Sequence, residues 1–285
     1  MKEGDEWKAA FRTHRGLFEP TVMFFGLCNS PATFQHMMNE VLRDIINEGH
    51  ILVYLDNILV FTKDLKLHRK IVHRVLQHLH EHQLYLKPYK CFFKVNTVSY
   101  LELIIGNGIV TTDPKKIEAI VKWAIPTNRT EIQSFIGFIH FYWRFIANFS
   151  HIAKPLHRLT GNQDFEWGTE QQQAFDTLKE KLCSEPVLRI PTDDGPFQVE
   201  TDCSQFAMGG ALSQYIDGKW HPIAYRSEAL TAAERNYEIH DREMLAIMKA
   251  LEDWRQYLLG AKHRVEVWTD HLNLTFFRSP QKLNR

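Results

Sequence analysis

Apolar residues recur along this chain with two alternating periods. Phe34, Met37, Met38, Val41, Leu42 and Ile45 fall three or four positions apart, which predicts a helix opening at Ser30-Pro31 and running to Gly49. Ser30 is its expected N-cap, with Pro31 in the first turn. The run from Ile51 to Phe61 is apolar except at Asp56-Asn57, and two short buried strands joined at that turn fit it. Leu67, Ile71, Val75 and Leu79 predict a second helix over 65–83. Short strands are expected over 7–13, 92–95 and 98–101, with a turn at Gly106-Asn107-Gly108.

The middle of the chain reads as helical and aromatic. Asp113-Pro114 opens a helix to Trp123, and Thr130 is the expected cap of another carrying Ile132, Phe135, Ile136, Ile139 and Phe145. Gly161-Asn162-Gln163 and residues 186–196 bracket a further helix and supply linker chemistry. Strand alternation returns over 197–202, and Asp217-Gly218 marks a tight hairpin. Thr231 and Glu234 form a capping box before a long helix ending near Gly260, and a last strand covers 265–270. The pattern predicts an α/β (α+β) chain in three parts, 1–108, 109–190 and 191–285.

Composition narrows the picture by exclusion. Lys+Arg 34 balances Asp+Glu 34, so no global field draws the chain to phosphate, and any nucleic-acid contact must use local patches. The four cysteines form no C-x-x-C pair, which argues against a zinc module and fits reduced thiols. No apolar run reaches membrane-spanning length and no signal peptide is visible, so a soluble intracellular protein is expected. Both ends read as cut.

Three acids gain meaning when they are taken together. Asp202 and Asp270 end predicted strands, where ligands bind in open α/β sheets. Glu243 leads a core-facing helical stripe with Ile247, Ala250 and Trp254, a costly place for an unpaired carboxylate. Singly, each acid reads as a surface residue; as a converging trio they call for divalent cations between them. The histidines His68, His73, His78, His80 and His82 read as a solvated helix face, although His78 and His82 have i,i+4 ligand spacing. Arg12, Arg15, Lys87, Lys90 and Lys94 are either phosphate contacts or solvated surface, and the 135–149 aromatics read as core rather than a stacking platform.

Specific motifs carry a resemblance over nearly the whole chain. Thr201-Asp202-Cys203-Ser204 with Gly209-Gly210-Ala211-Leu212-Ser213-Gln214, then Asp241-Arg242-Glu243-Met244-Leu245-Ala246-Ile247, then Trp268-Thr269-Asp270-His271-Leu272-Asn273-Leu274, resemble the RNase H motifs of gypsy-class LTR retrotransposon Pol polyproteins. Phe25-Gly26-Leu27-Cys28-Asn29-Ser30-Pro31-Ala32-Thr33-Phe34-Gln35, Tyr54-Leu55-Asp56-Asn57, Lys90-Cys91, Tyr100-Leu101-Glu102 and Phe141-Tyr142-Trp143-Arg144-Phe145-Ile146 are similar, in order, to its reverse transcriptase. The resemblance implies partial fingers and palm, a helical thumb and connection, and an RNase H-like mixed sheet with helices. It implies catalytic and metal roles for Asp56, Asp202, Glu243 and Asp270, and nucleotide or template contacts for Phe25, Gly26, Tyr54 and Lys90. Two Mg²⁺ (or Mn²⁺) ions are the implied cofactor. Implied partners are an RNA–DNA hybrid or primer–template and other Pol- or Gag-derived proteins, with no membrane, in cytoplasm, nucleus or a retroelement particle.

Departures from the pattern bear on activity. Asn57 stands where a second acid is expected, and an amide ligates without bringing charge. Phe24 replaces a Pro, Gln205 an Asp, and Glu102 a Gly at the primer grip, where a carboxylate would repel primer phosphate. The family's first palm acid precedes the segment that Gly4-Asp5-Glu6-Trp7 resembles, and its fourth RNase H acid follows the point where this sequence stops. The expectation is a fragment with polymerase chemistry lost and RNase H chemistry impaired. The alternative is a non-catalytic nucleic-acid-binding or domesticated remnant.

Overall fold

In the computed structural model, which describes residues 1–161, 164–184 and 187–269, the chain divides into two units, Met1–Lys94 and Val95–Arg285. The mixture of helices and several sheets is the expected α/β class.

The first unit opens with a 3-10 turn, Glu6–Ala9, and a hairpin of β1 (Phe11–Thr13) and β2 (Gly16–Phe18). The strand expected over 7–13 is therefore present only in its last three residues. Next come α1 (Ser30–Val41), α2 (Arg43–Asn47), the hairpin of β3 (Ile51–Tyr54) and β4 (Asn57–Val60), and α3 (Leu65–Glu81). The helical periods deliver Met38, Val41, Leu42, Ile45, Ile71, Val75 and Leu79 to one core with Ile51. Burying each such side chain contributes about 1.5–3 kcal/mol. The single helix expected over 30–49 bends at Leu42, which leaves helical geometry (φ −112°, ψ 16°) while its side chain is fully buried. Asn29, not Ser30, occupies the N-cap position of α1, and the Ser30 hydroxyl instead donates to the Phe24 carbonyl. Asp64 caps α3 by accepting the Leu67 N–H at 2.7 Å.

Among the described residues the second unit holds two four-stranded sheets. β5 (Thr97–Tyr100), β6 (Leu103–Gly106), β7 (Ile109–Thr112) and β8 (Leu188–Arg189) form an antiparallel sheet in that order. Residues 92–95 are not a strand, and Phe92 and Phe93 are exposed. Between β7 and β8 lie α4 (Pro114–Val121), α5 (Arg129–His140), α6 (Phe149–Arg158) and α7 (Thr169–Cys183). Phe135, Tyr142, Phe145, Phe149, Leu156 and Phe175 meet in the largest core, so these aromatics pack rather than present faces. Asn128 caps α5 in place of Thr130: its side chain accepts the Glu131 N–H at 3.0 Å and donates to Glu131 Oε1 at 2.7 Å.

The other sheet runs β11 (Lys219–Ala229), β10 (Ala207–Ile216), β9 (Phe197–Cys203), β12 (Glu266–Thr269), with β12 parallel to β9. Asp217 and Gly218, both at positive φ, make the two-residue turn expected between β10 and β11. One face of β9 packs against α8 (Ile239–Asp253), which is followed by α9 (Arg255–Leu258). The Thr231–Glu234 capping box forms, but it caps only a 3-10 turn, Glu234–Asn236. Tyr237 is extended (ψ 149°), so α8 starts five residues beyond the box.

Candidate functional sites at the Asp56 hairpin and the Asp202 strand end

Tyr54 pairs with Asn57 across the hairpin, leaving Leu55-Asp56 as its turn. Leu55 takes φ +51°, a left-handed conformation that costs a branched side chain on the order of 1 kcal/mol. Gln35 of α1 holds it there. Its Oε1 accepts the Leu55 N–H at 2.6 Å, while its Nε2 donates to the Val53 carbonyl at 3.1 Å and to Asn39 Oδ1 at 2.8 Å. Asn57 Nδ2 donates to Asp56 Oδ1 at 3.4 Å, and both residues are exposed. The turn therefore offers one carboxylate already engaged by an amide, a donor set that does not fit two divalent cations.

Tyr54 and Asp56 thus share the hairpin. Phe25, fully exposed, and Gly26 (φ +100°) lie in the loop before α1, and Lys90 is exposed in the 3-10 turn Pro88–Lys90. None of these three hydrogen-bonds to the hairpin among the described residues. His78 Nδ1 bonds to the Val41 carbonyl and His82 Nδ1 to the His78 carbonyl, both at 2.9 Å, so one ring nitrogen of each already serves the fold. In the second unit Glu102 sits at φ +64° in the β5–β6 turn and pairs with Lys116 at 2.8 Å.

Asp202 lies near the end of β9, exposed between buried Thr201 and Cys203. Together with Asn148, Glu200, Gly209, Tyr225 and Trp268 it lines a cleft of ≈ 580 Å³. The Asn148 side chain approaches Gly209 closely enough that a Cβ there would lie 2.5 Å from Asn148 Oδ1, so any larger residue at 209 would have to displace that amide. Glu243, only 3% exposed, projects from α8, and its Oε1 accepts the Cys203 N–H at 3.3 Å. A buried carboxylate is thereby tied to the residue that follows Asp202. Burial, with Glu243 and Asp202 adding negative potential, pushes the Cys203 thiol up to about 11. Asp202 at the end of β9 and Glu243 on α8 are hard oxygen donors of the kind Mg²⁺ and Mn²⁺ take, so the donor chemistry suits the implied ions. Thr269 pairs with Thr201, but Asp270 lies outside the described residues. Among the described residues no group of three His, Cys, Asp or Glu side chains is placed to hold a metal ion.

Sequence reasoning missed Gln35, Asn148 and His151. Gln35 and Asn148 act through backbone groups or a close approach to glycine, for which the sequence carries no periodic signal. His151, on α6, lines a second groove with Asp202, Ser204, Gly209 and Ser227. The Ser150 N–H donates to Ser227 Oγ at 2.8 Å and seats the start of α6 there.

Known proteins are similar to this chain over nearly its whole length. Residues 1–105 match the model of "Reverse transcriptase (RNA-dependent DNA polymerase)", and residues 167–267 that of an "RNase H-like domain found in reverse transcriptase". The chain is 37% identical over 276 residues to the transposon Tf2-7 polyprotein of Schizosaccharomyces pombe, covering 96% of this chain and 21% of that protein. The Tf2-3 polyprotein of the same organism is 36% identical over the same length. The chain therefore spans about a fifth of the curated relatives it matches. Among solved structures, the foamy viral protease–reverse transcriptase in complex with double-stranded DNA matches with a TM-score of 0.80 at 24% identity, over 98% of this chain and 49% of that one. A second structure of that enzyme, with an RNA/DNA hybrid, matches with a TM-score of 0.79 over 98% of this chain and 37% of that one. These likenesses establish the fold.

Proposed function

The chain belongs to the reverse transcriptase and RNase H-like family of gypsy-class LTR-retrotransposon polyproteins, and from that premise we propose an RNA-cleaving, polymerase-silent module. Its substrate is the RNA strand of an RNA–DNA hybrid, and its residual chemistry belongs to the RNase H-like part. The observation that carries this reading is the buried Glu243 carboxylate held against the Cys203 N–H, beside exposed Asp202. Asp202, Glu243 and, by motif, Asp270 would hold two Mg²⁺ ions. When bound, those ions would activate water and stabilise the leaving oxygen of a phosphodiester.

The protein's own share of the work is positional. The Cys203 amide fixes Glu243 Oε1, and Asp202 reaches the open cleft from the same strand end. For nucleotidyl transfer the hairpin supplies only Asp56, with the Asn57 amide on its carboxylate; this supports loss of that reaction. The division into fingers and palm (1–108), thumb and connection (109–190) and RNase H-like domain (191–285), and the roles of Phe25, Gly26, Tyr54 and Lys90 in contacting template, belong to the same proposal. Association with other Pol- or Gag-derived proteins also belongs to it.

Two assays test it. Incubated with Mg²⁺ or Mn²⁺, the protein should shorten the labelled RNA of a hybrid, and Asp202→Asn should slow this by about 10²-fold or more, roughly 2.7 kcal/mol of transition-state stabilisation. The same change should weaken Mn²⁺ binding measured by electron paramagnetic resonance. Cleavage undiminished in Asp202→Asn would remove the nuclease assignment, and extension of a primed template would overturn the polymerase-silent one. Hybrid binding with no cleavage by the unaltered protein would favour the non-catalytic remnant.

A further inference from the structure

Cationic side chains cluster beside the Asp202 groove, with Glu170 the one carboxylate that pairs with any of them among the described residues. On α6, His151, Lys154 and Arg158 follow at spacings of three and four, so they share one helical face. His151 lines the groove with Asp202, and the row extends about 10 Å from it at 1.5 Å per residue. A further cation comes from another element: Arg235, exposed in the 3-10 turn Glu234–Asn236. Lys154 lies 2.9 Å from the centre of the Phe206 ring, in the connection between β9 and β10 four residues after Asp202. Partial desolvation, then repulsion from Arg158 and Arg235, push the Lys154 ammonium below its ordinary value against a weaker pull from Glu170.

Among the described residues Lys154 and Arg235 make no ion pair, and Arg158 has only Glu170, at 3.6 Å on exposed surface. Gathering like charges costs free energy in the empty protein, and a bound anion would recover it. With formal net charge +0, attraction for a polyanion has to come from such a local cluster.

We propose that Lys154, Arg158 and Arg235 form a backbone-phosphate seat for the nucleic-acid strand whose neighbouring phosphodiester lies at Asp202. The inference rests on the proposed ribonuclease reading and deepens it. The anion is a polymer rather than a free phosphate because the cation row starts at the groove and leads away from it. The seat contacts no base, so it holds strands without regard to sequence.

The test is hybrid binding, followed by fluorescence anisotropy over a salt series at fixed pH. Replacing Lys154, Arg158 and Arg235 together by Gln should weaken binding at low salt by at least about 10-fold and flatten the log K against log [salt] slope by about 1 per lost phosphate contact. Lys219→Gln, at the far β10–β11 turn, should change neither. Wild-type affinity and slope in the triple variant, with circular dichroism unchanged, would overturn the seat while leaving the ribonuclease reading intact. Displacement of hybrid by inorganic phosphate at constant ionic strength would also overturn it, in favour of a small-anion site. Absence of hybrid binding by the unaltered protein would overturn both.

Discussion

Glu234 is the side chain whose surroundings make the clearest demand on pH. The Thr231 N–H first, then the Thr231 hydroxyl and Lys249, hold its carboxyl down at about 2. A carboxylate depressed in the folded state contributes stability above its unfolded value of about 4.3, and that contribution is lost as pH falls through the folded value. Urea midpoints should therefore fall between about pH 4.3 and 2. Glu234→Gln should be less stable at neutral pH and show a shallower loss over that window. At this scale the sequence was legible wherever an acid interrupted an apolar pattern: Asp56 in the hairpin and Glu243 in the helical stripe both stand out. Gln35 did not, because its partners are backbone groups of another element, and a glutamine on a helix looks the same whether or not a turn lies above it.

Among the elements, the helices of the first unit and the β10–β11 hairpin were readable because period and turn chemistry agree with the packing. Caps were less readable. Thr130 and Asn128 both have capping side chains, and only the entry angle of the chain chooses between them. Asn128→Ala should cost α5 about 1 kcal/mol, while Thr130→Ala should stay within about 0.5 kcal/mol, both by urea denaturation. Equal losses would return the cap to Thr130. The bend at Leu42 had no warning in the sequence, because neither Gly nor Pro marks it. The capping box at Thr231 was genuine, but local hydrogen bonds there fix one turn and not the helix after it.

For the molecule as a whole, the order of motifs was legible over nearly the full length, and the solved foamy viral enzyme shares the fold across 98% of the chain. The pairing of β7 with β8 was not legible, since two residues carry no period. That pairing has a kinetic consequence. Val110 meets Leu188 across a span of 188 − 110 = 78 positions, through a strand of only two residues. Closing a flexible loop of that length costs about 4 kcal/mol on a (3/2)RT ln n estimate, and so short a ladder recovers little of it. Leu188 also packs into the core built by α4 to α7, and β8 touches β11 as well, so most of what holds β8 comes from elements outside its two-residue ladder. Leu188→Ala should destabilise by about 2–3 kcal/mol, appearing almost entirely as faster unfolding with an unchanged refolding rate in stopped-flow measurements. The smallest strand among the described residues would then close the folding sequence and set how soon the second unit begins to open.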